Sequence, residues 1–228
     1  MLMVPTKAVN FQRTVMKILG AIFDMDGVVV DNHQYHFKAW MQFSQKYRYS
    51  LNEEIYRDQF NGKTNADLFR MMFGDISTEQ IAAYTKEKED LYQEIYFPDL
   101  KATHGLVEFL EELNRHRIKV ALGTSAPTRN VDFVLDNLKL RQYFPVIVDG
   151  TMVSRGKPDP EVYQLCARKL GLDPEKCVVF EDSLAGLDSG SAAGCQIIAV
   201  ATSHRPVELK PKTDNIIFDF TEASRFIR

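Results

Sequence analysis

The chain has 228 residues, 45% of them hydrophobic, with 28 Lys and Arg against 31 Asp and Glu for a net charge of −3. That is enough apolar material for a full core and excludes a disordered chain, while the lack of a basic block argues against nucleic acid as the main partner and the short apolar runs argue against a membrane span or a secretory signal. Its three cysteines, Cys166, Cys177 and Cys195, lie apart in apolar segments, which fits core thiols in a reducing cytoplasm better than disulfides or a zinc site.

Residues 1–17 carry Lys7, Arg13 and Lys17 without acids and are expected to form an N-terminal extension. An apolar run then delivers Asp24 and Asp26 into a turn at Gly27. Side chains at i and i+2 of an extended segment point to the same side, so the two carboxylates can converge on one metal ion or one phosphoryl group. Gly27 lets the backbone turn away at once. A solvated acidic turn is the bland alternative.

Residues 32–100 are too many for a strand-to-helix link and show helical spacing in Phe37, Trp40, Met41 and Tyr47, in Leu68, Phe69, Met72 and Phe73, and in Ile81, Tyr84, Leu91 and Ile95. An inserted helical cap domain is expected, leaving and re-entering beside the acidic pair as a lid does. His36 and Trp40 lie four apart and share a helix face. Gly62, Lys63, Thr64 and Asn65 form either a loop that touches a leaving group or an ordinary turn and helix cap.

From residue 101 strand and helix patterns alternate. The expected order is helix from Leu106, strand Ile118 to Leu122, helix over Val131 to Leu138, strand Pro145 to Val148, helix over Val162 to Leu170, strand Cys177 to Phe180, helix Ser183 to Ala193 and strand Gln196 to Val200. Such alternation predicts an α/β fold, a doubly wound parallel sheet with a Rossmann-like core made of residues 18–31 and 101–228.

In such a sheet ligands bind beyond the carboxyl ends of the strands, and each strand end here carries polar groups. Thr124 and Ser125, with Ala126, precede Pro127, expected as a first helical residue, so their hydroxyls and free amides can cradle a phosphate or simply cap the helix. Lys157 lies in Gly156-Lys157-Pro158-Asp159-Pro160, with Asp159 read as an N-cap and Pro160 as the first helical residue. Its ammonium can offset nearby carboxylates and neutralise phosphate. Glu181 and Asp182 end a buried strand and suit magnesium, which takes one or two carboxylates, waters and substrate phosphate.

Taken together, Asp24-x-Asp26-Gly-x-x-x-Asp31, Thr124-Ser125, Gly156-Lys157-Pro158-Asp159-Pro160 and Glu181-Asp182-Ser183-x-x-Gly186 resemble the four motifs of the haloacid dehalogenase superfamily of phosphatases, in order and spacing. The likeness covers the chain beyond residue 18, and Tyr35 to Trp40 resembles the start of the cap of beta-phosphoglucomutase and its sugar-phosphatase relatives. One departure is that Asn61 and Asn65 stand where the mutase pattern has a lysine and an arginine.

The resemblance implies a magnesium-dependent phosphohydrolase acting on a small phosphorylated metabolite, a sugar phosphate being the best single guess. Asp24 would be the nucleophile that forms an aspartyl phosphate, and Asp26 the acid and base, kept partly protonated by its acidic neighbours or by the anionic substrate. Thr124, Ser125 and Lys157 would hold the phosphoryl oxygens. Magnesium would sit between Asp24, the backbone carbonyl of Asp26 and Asp182, with Glu181 in support. His36 would face the active site and orient the second acid. The alternatives are a mutase using the same intermediate and, in another class, a signalling receiver domain, which lacks such an insertion. A dehalogenase does not fit, because that branch lacks the second aspartate. A monomer or weak homodimer is expected.

Overall fold

The computed structural model describes residues 17–60 and 63–227, so the expected extension, save Lys17, and the loop residues Asn61 and Gly62 lie outside the described residues. The frame is a six-stranded, all-parallel sheet of β1 (Gly20–Phe23), β2 (Lys119–Gly123), β3 (Val146–Val148), β4 (Cys177–Glu181), β5 (Gln196–Val200) and β6 (Ile216–Ile217). The spatial order is β3-β2-β1-β4-β5-β6. That is the Rossmann-like doubly wound order, with the strand order reversing between β1 and β4.

Successive side chains of a strand face opposite sides, and β1 uses this to build two core layers. Phe23 points to one face and stacks on Phe180, its register partner on β4, at 4.8 Å between ring centroids. Phe109, Phe144 and Phe220 close around the pair. Ile22 points to the other face, with Ala121 and Val179, against Tyr163, Cys166 and Ala167. The three cysteines are buried free thiols, as expected.

Between β1 and β2 the insertion forms α1 (His33–Lys46), a short α2 (Glu53–Ile55) running into a π-turn over Tyr56–Phe60, α3 (Asn65–Phe73) and α4 (Thr78–Tyr96). Trp40, Phe43, Phe60, Leu68 and Phe69 give it a core of its own. Ser77 caps α4 in a box with Gln80, which fixes where that helix starts. The helices around the sheet are α5 (Leu106–Arg115), α6 (Thr128–Asn137), α7 (Glu161–Leu170), α8 (Leu184–Ala192) and α9 (Pro206–Leu209). No helix among the described residues is long and apolar enough to cross a membrane.

Two details differ from the sequence pattern. Helices α6 and α7 start one residue late, with Pro127 and Pro160 at their N-caps; the fixed proline φ suits both positions, and Asp159 still caps α7 by accepting from the Glu161 amide at 3.0 Å. The buried faces of the insertion are also rotated. Met41 is exposed, and on α4 Lys88, Glu89, Tyr92 and Tyr96 are the fully buried residues, while the expected Ile81, Tyr84, Leu91 and Ile95 are half-buried and pack against the cores.

Phe180 sits at the centre of the aromatic layer with no exposed surface. Replacing it with Ala is expected to lower unfolding stability by about 3–5 kcal/mol, read from the denaturant midpoint at constant slope. A loss under about 1 kcal/mol would mean that this layer does not carry the fold.

Candidate active site

The β1–β4 pairing decides the site. Phe23 and Phe180 are register partners, so the next residues, Asp24 and Glu181, emerge side by side, with Asp182 following. After Asp24 the chain turns sharply at Gly27, whose φ is +80°. A side chain there is impossible on space as well as on φ: a Cβ would lie 2.1 Å from Asp182 Oδ2 and 2.7 Å from His33 Nε2.

Lys157 enters from the loop after β3 and buries its ammonium between the two carboxylates, 2.9 Å from Asp24 Oδ1 and 2.6 Å from Glu181 Oε1, over the ring of Tyr163. Burial works to lower its pKa, but the charges of Asp24 and Glu181 outweigh it and hold the lysine charged. Glu181 is fully engaged. Oε1 accepts from Lys157 and from the Tyr163 hydroxyl, and Oε2 accepts from the Asp182 and Ser183 amides and the Ser183 hydroxyl. Gly186 makes room for it, since a Cβ there would fall 1.8 Å from Glu181 Oε1.

Carboxylate oxygens of Asp24, Glu181 and Asp182 lie within 4.8 Å of one another. This all-oxygen donor set suits a hard divalent cation. Asp24 Oδ1 is buried without a directed hydrogen bond, and burial, backed by Glu181, Asp182 and Asp26, pushes the Asp24 carboxyl up against the pull of Lys157. The cluster therefore carries more negative charge than one lysine offsets. Asp182 draws on His33 at 2.6 Å; against burial, its charge and hydrogen bond raise that imidazole to about 9. Since the oxygens of Glu181 are taken, Asp24 and Asp182 are the carboxylates with ligand capacity left.

Asp26 turns away from this cluster. Its Oδ1 accepts from the Asn32 amide at 2.6 Å and lies 3.5 Å from His36 Nε2. The expectation that acidic neighbours keep it partly protonated differs from the structure: burial works to raise its pKa, but His36 and Asn32 outweigh it and hold the group at about 2. His36 stacks on Tyr92 with centroids 3.8 Å apart and takes a hydrogen bond on Nδ1 from Lys88 at 3.0 Å. Burial and the Lys88 charge push the imidazole down against the pull of Asp26, and with Lys88 donating to Nδ1, Nε2 is the ring nitrogen that faces Asp26.

Lys88 is paired in turn with Glu89 at 2.9 Å, both nearly devoid of exposed surface. Glu89 also accepts from Asn65 at 2.6 Å and from Asn130 of α6 at 2.7 Å. A cavity of about 240 Å³ joins the two halves. Among its walls are Asp24, Asp26, His36, Trp40, Lys63, Thr64, Asn65, Thr124, Ser125, Ala126, Lys157, Glu181 and Asp182, so every described residue picked from the sequence lines one space. Local duties are visible too: Thr124 Oγ1 accepts from the Ala126 amide, Thr64 caps α3, and Trp40 packs in the insertion core.

The sequence reading missed His33, Asn32, Lys88, Glu89, Asn130 and Tyr163. Lys88 and Glu89 sit in a run of charges, Lys86 to Asp90, that reads as a solvated face. The signal within it is the i, i+4, i+8 stripe of Lys88, Tyr92 and Tyr96.

The family model for the haloacid dehalogenase-like hydrolases matches residues 21–200, and the chain belongs to that family. It is 35% identical over 177 residues to the phosphorylated carbohydrates phosphatase of Thermotoga maritima, covering 78% of this chain and 82% of that one. It is 28% identical over 187 residues to the beta-phosphoglucomutase of Bacillus subtilis, covering 78% and 81%. A solved family IA, variant 3 hydrolase from Entamoeba histolytica superposes with a TM-score of 0.83 at 27% identity, covering 92% of this chain and 98% of that one. The subgroup seen in the motifs is thereby borne out, and the receiver-domain alternative falls.

Glu181→Gln keeps the shape but removes the charge facing Lys157. It is expected to cost about 3–5 kcal/mol of unfolding stability, as breaking a buried pair does. A chemical denaturation curve within about 1 kcal/mol of the parent would show that the network does not need that charge.

Proposed function

We propose that the chain is a cytoplasmic, magnesium-dependent phosphohydrolase that cleaves a small phosphorylated metabolite, a sugar phosphate, through an aspartyl phosphate on Asp24. The observation that carries this reading is the meeting of Asp24, Asp26, Thr124, Lys157 and Asp182 at one cavity beyond the strand ends, at the reversal of strand order. Family membership and a phosphatase relative support it. The buried free thiols support a reducing compartment.

Phosphate monoesters are among the slowest species to hydrolyse unaided, so the site must supply position, charge and a proton. An oxygen of Asp24 attacks phosphorus as the bond from phosphorus to the leaving oxygen breaks, and Asp26 protonates that oxygen. Water then attacks the aspartyl phosphate, Asp26 takes its proton, and inorganic phosphate leaves with Asp24 regenerated. Lys157, the Thr124 hydroxyl and the free amides at the start of α6 hold the phosphoryl oxygens. Magnesium held by Asp24, Asp182 and the Asp26 carbonyl would neutralise charge on the phosphoryl group. A dianionic ester beside Asp26 adds negative charge that opposes His36 and Asn32 and raises its pKa toward the value an acid needs. In the mutase reading the insertion must grip a second phosphate; here the Asn65 amide is given to Glu89 instead.

With magnesium and a panel of sugar phosphates, the protein is expected to release free phosphate with little isomerised sugar phosphate, both followed together. Asp24→Asn should keep the fold and lose nearly all turnover, since the amide is no nucleophile; retention of more than a few per cent would remove Asp24 from that role. Exhaustive chelation should abolish phosphate release and added magnesium should restore it. Activity that survives chelation would contradict the metal assignment.

A further inference from the structure

The insertion end of the cavity carries a buried charge pair with no net charge. Lys88 and Glu89 offset one another at 2.9 Å, with side chains 2% and 1% exposed. Burial and the Lys88 charge push the His36 imidazole beside them down. Lys63 is exposed at the same end, where water and salt screen it. The pair is placed by contacts leading directly from the chemistry: Asp26 to His36 at 3.5 Å, His36 to Lys88 at 3.0 Å, Lys88 to Glu89.

A second phosphate at this end would meet the Glu89 carboxylate, and among the described residues the buried cation beside it, Lys88, is already balanced by that carboxylate. The Lys88 ammonium gives one N–H to His36 and one to Glu89, and the amides of Asn65 and Asn130 each give Glu89 one of their two hydrogens. Capturing a phosphate there would set a dianion beside a buried carboxylate. A hydroxyl group faces no such conflict. A carboxylate has about four lone-pair sites, of which Glu89 uses three, and the rings of Trp40 and Tyr56 line the same wall for the carbon skeleton.

We infer that Glu89 is a specificity-determining residue that rejects a leaving group bearing a second phosphate, so that the site takes the monophosphate of an uncharged polyhydroxylated carbon chain. This rests on the phosphohydrolase reading above. Lys88 balances the rejection, since its charge is what keeps the wall neutral rather than anionic.

The experiment compares kcat/KM, with magnesium, for glucose 6-phosphate against glucose 1,6-bisphosphate and for fructose 1-phosphate against fructose 1,6-bisphosphate, with p-nitrophenyl phosphate as a probe of the chemistry alone. The ratio of bisphosphate to monophosphate does not depend on how much of a variant folds. In the wild type it is expected to be about tenfold or more below one; Glu89→Gln should raise it by about tenfold, and Lys88→Met, which leaves Glu89 unbalanced, should lower it further. Opposite shifts from two neighbours are a signature that loss of packing does not produce. Equal turnover of both ester types by the wild type, a ratio unmoved in both variants, or turnover of the aryl ester alone would overturn the inference while leaving the phosphohydrolase intact. No turnover of any ester would instead sink the phosphohydrolase reading.

Discussion

A single buried ammonium organises the molecule. Parallel pairing of β1 and β4 brings Asp24 and Glu181 out side by side, and two carboxylates there would repel at low dielectric. Lys157 holds them together, but burying its own charge costs several kcal/mol unless its partners are fixed. They are. Glu181 is locked by the amides of Asp182 and Ser183 at the start of α8 and by the Tyr163 hydroxyl from α7, so one ion pair ties together both strands at the switch point and the helices α7 and α8. The missing side chains at Gly27 and Gly186 follow from the same demand, since each would occupy the space of a carboxylate oxygen.

The insertion is joined to this centre by polar bonds rather than by an apolar seam alone. Asn32 donates to Asp26, Asn130 to Glu89 and Gln93 to Asn130, and Arg129 of α6 reaches Asp90 of α4. Opening such a seam returns Lys88 and Glu89 to water, which solvates them well, so separation costs less than exposing apolar surface of the same extent. The aromatic core of the insertion stays whole because it lies within the insertion itself. Both features are what the expected lid would need in order to move as a body.

The strand and helix order was legible because parallel strands buried on both faces read as apolar runs and the helices around them keep a 3.6-residue period. The core site was legible for a related reason: Asp24, Thr124, Lys157 and Asp182 each follow a strand, and a doubly wound sheet gathers strand ends. The insertion was harder. Its helices carry charge on buried faces, so periodicity found the half-buried Leu91 and Ile95 but not Lys88 and Tyr92, which are buried more deeply. Pairs made by residues 41 to 149 positions apart, Glu89 with Asn130 and His33 with Asp182, leave no local spacing to read. The proline shifts at α6 and α7 are smaller and arise because proline suits two adjacent cap positions equally.

Asp26 shows why the two halves cannot be understood apart. Its backbone belongs to the turn after β1, yet its carboxylate answers to the insertion, through Asn32 and His36, with His36 set by Lys88 and by stacking on Tyr92. Those contacts hold the group at about 2, the state of a base. A residue proposed to give a proton and then take one back needs the opposite state first. The charge of a bound phosphate ester would favour the protonated form before the first transfer; once Asp26 has given its proton to the departing alcohol it is the carboxylate that the water step requires, a state the contacts to His36 and Asn32 favour. Because those contacts come from α1 and α4, the protonation cycle proposed for Asp26 depends on the insertion as much as on the turn after β1.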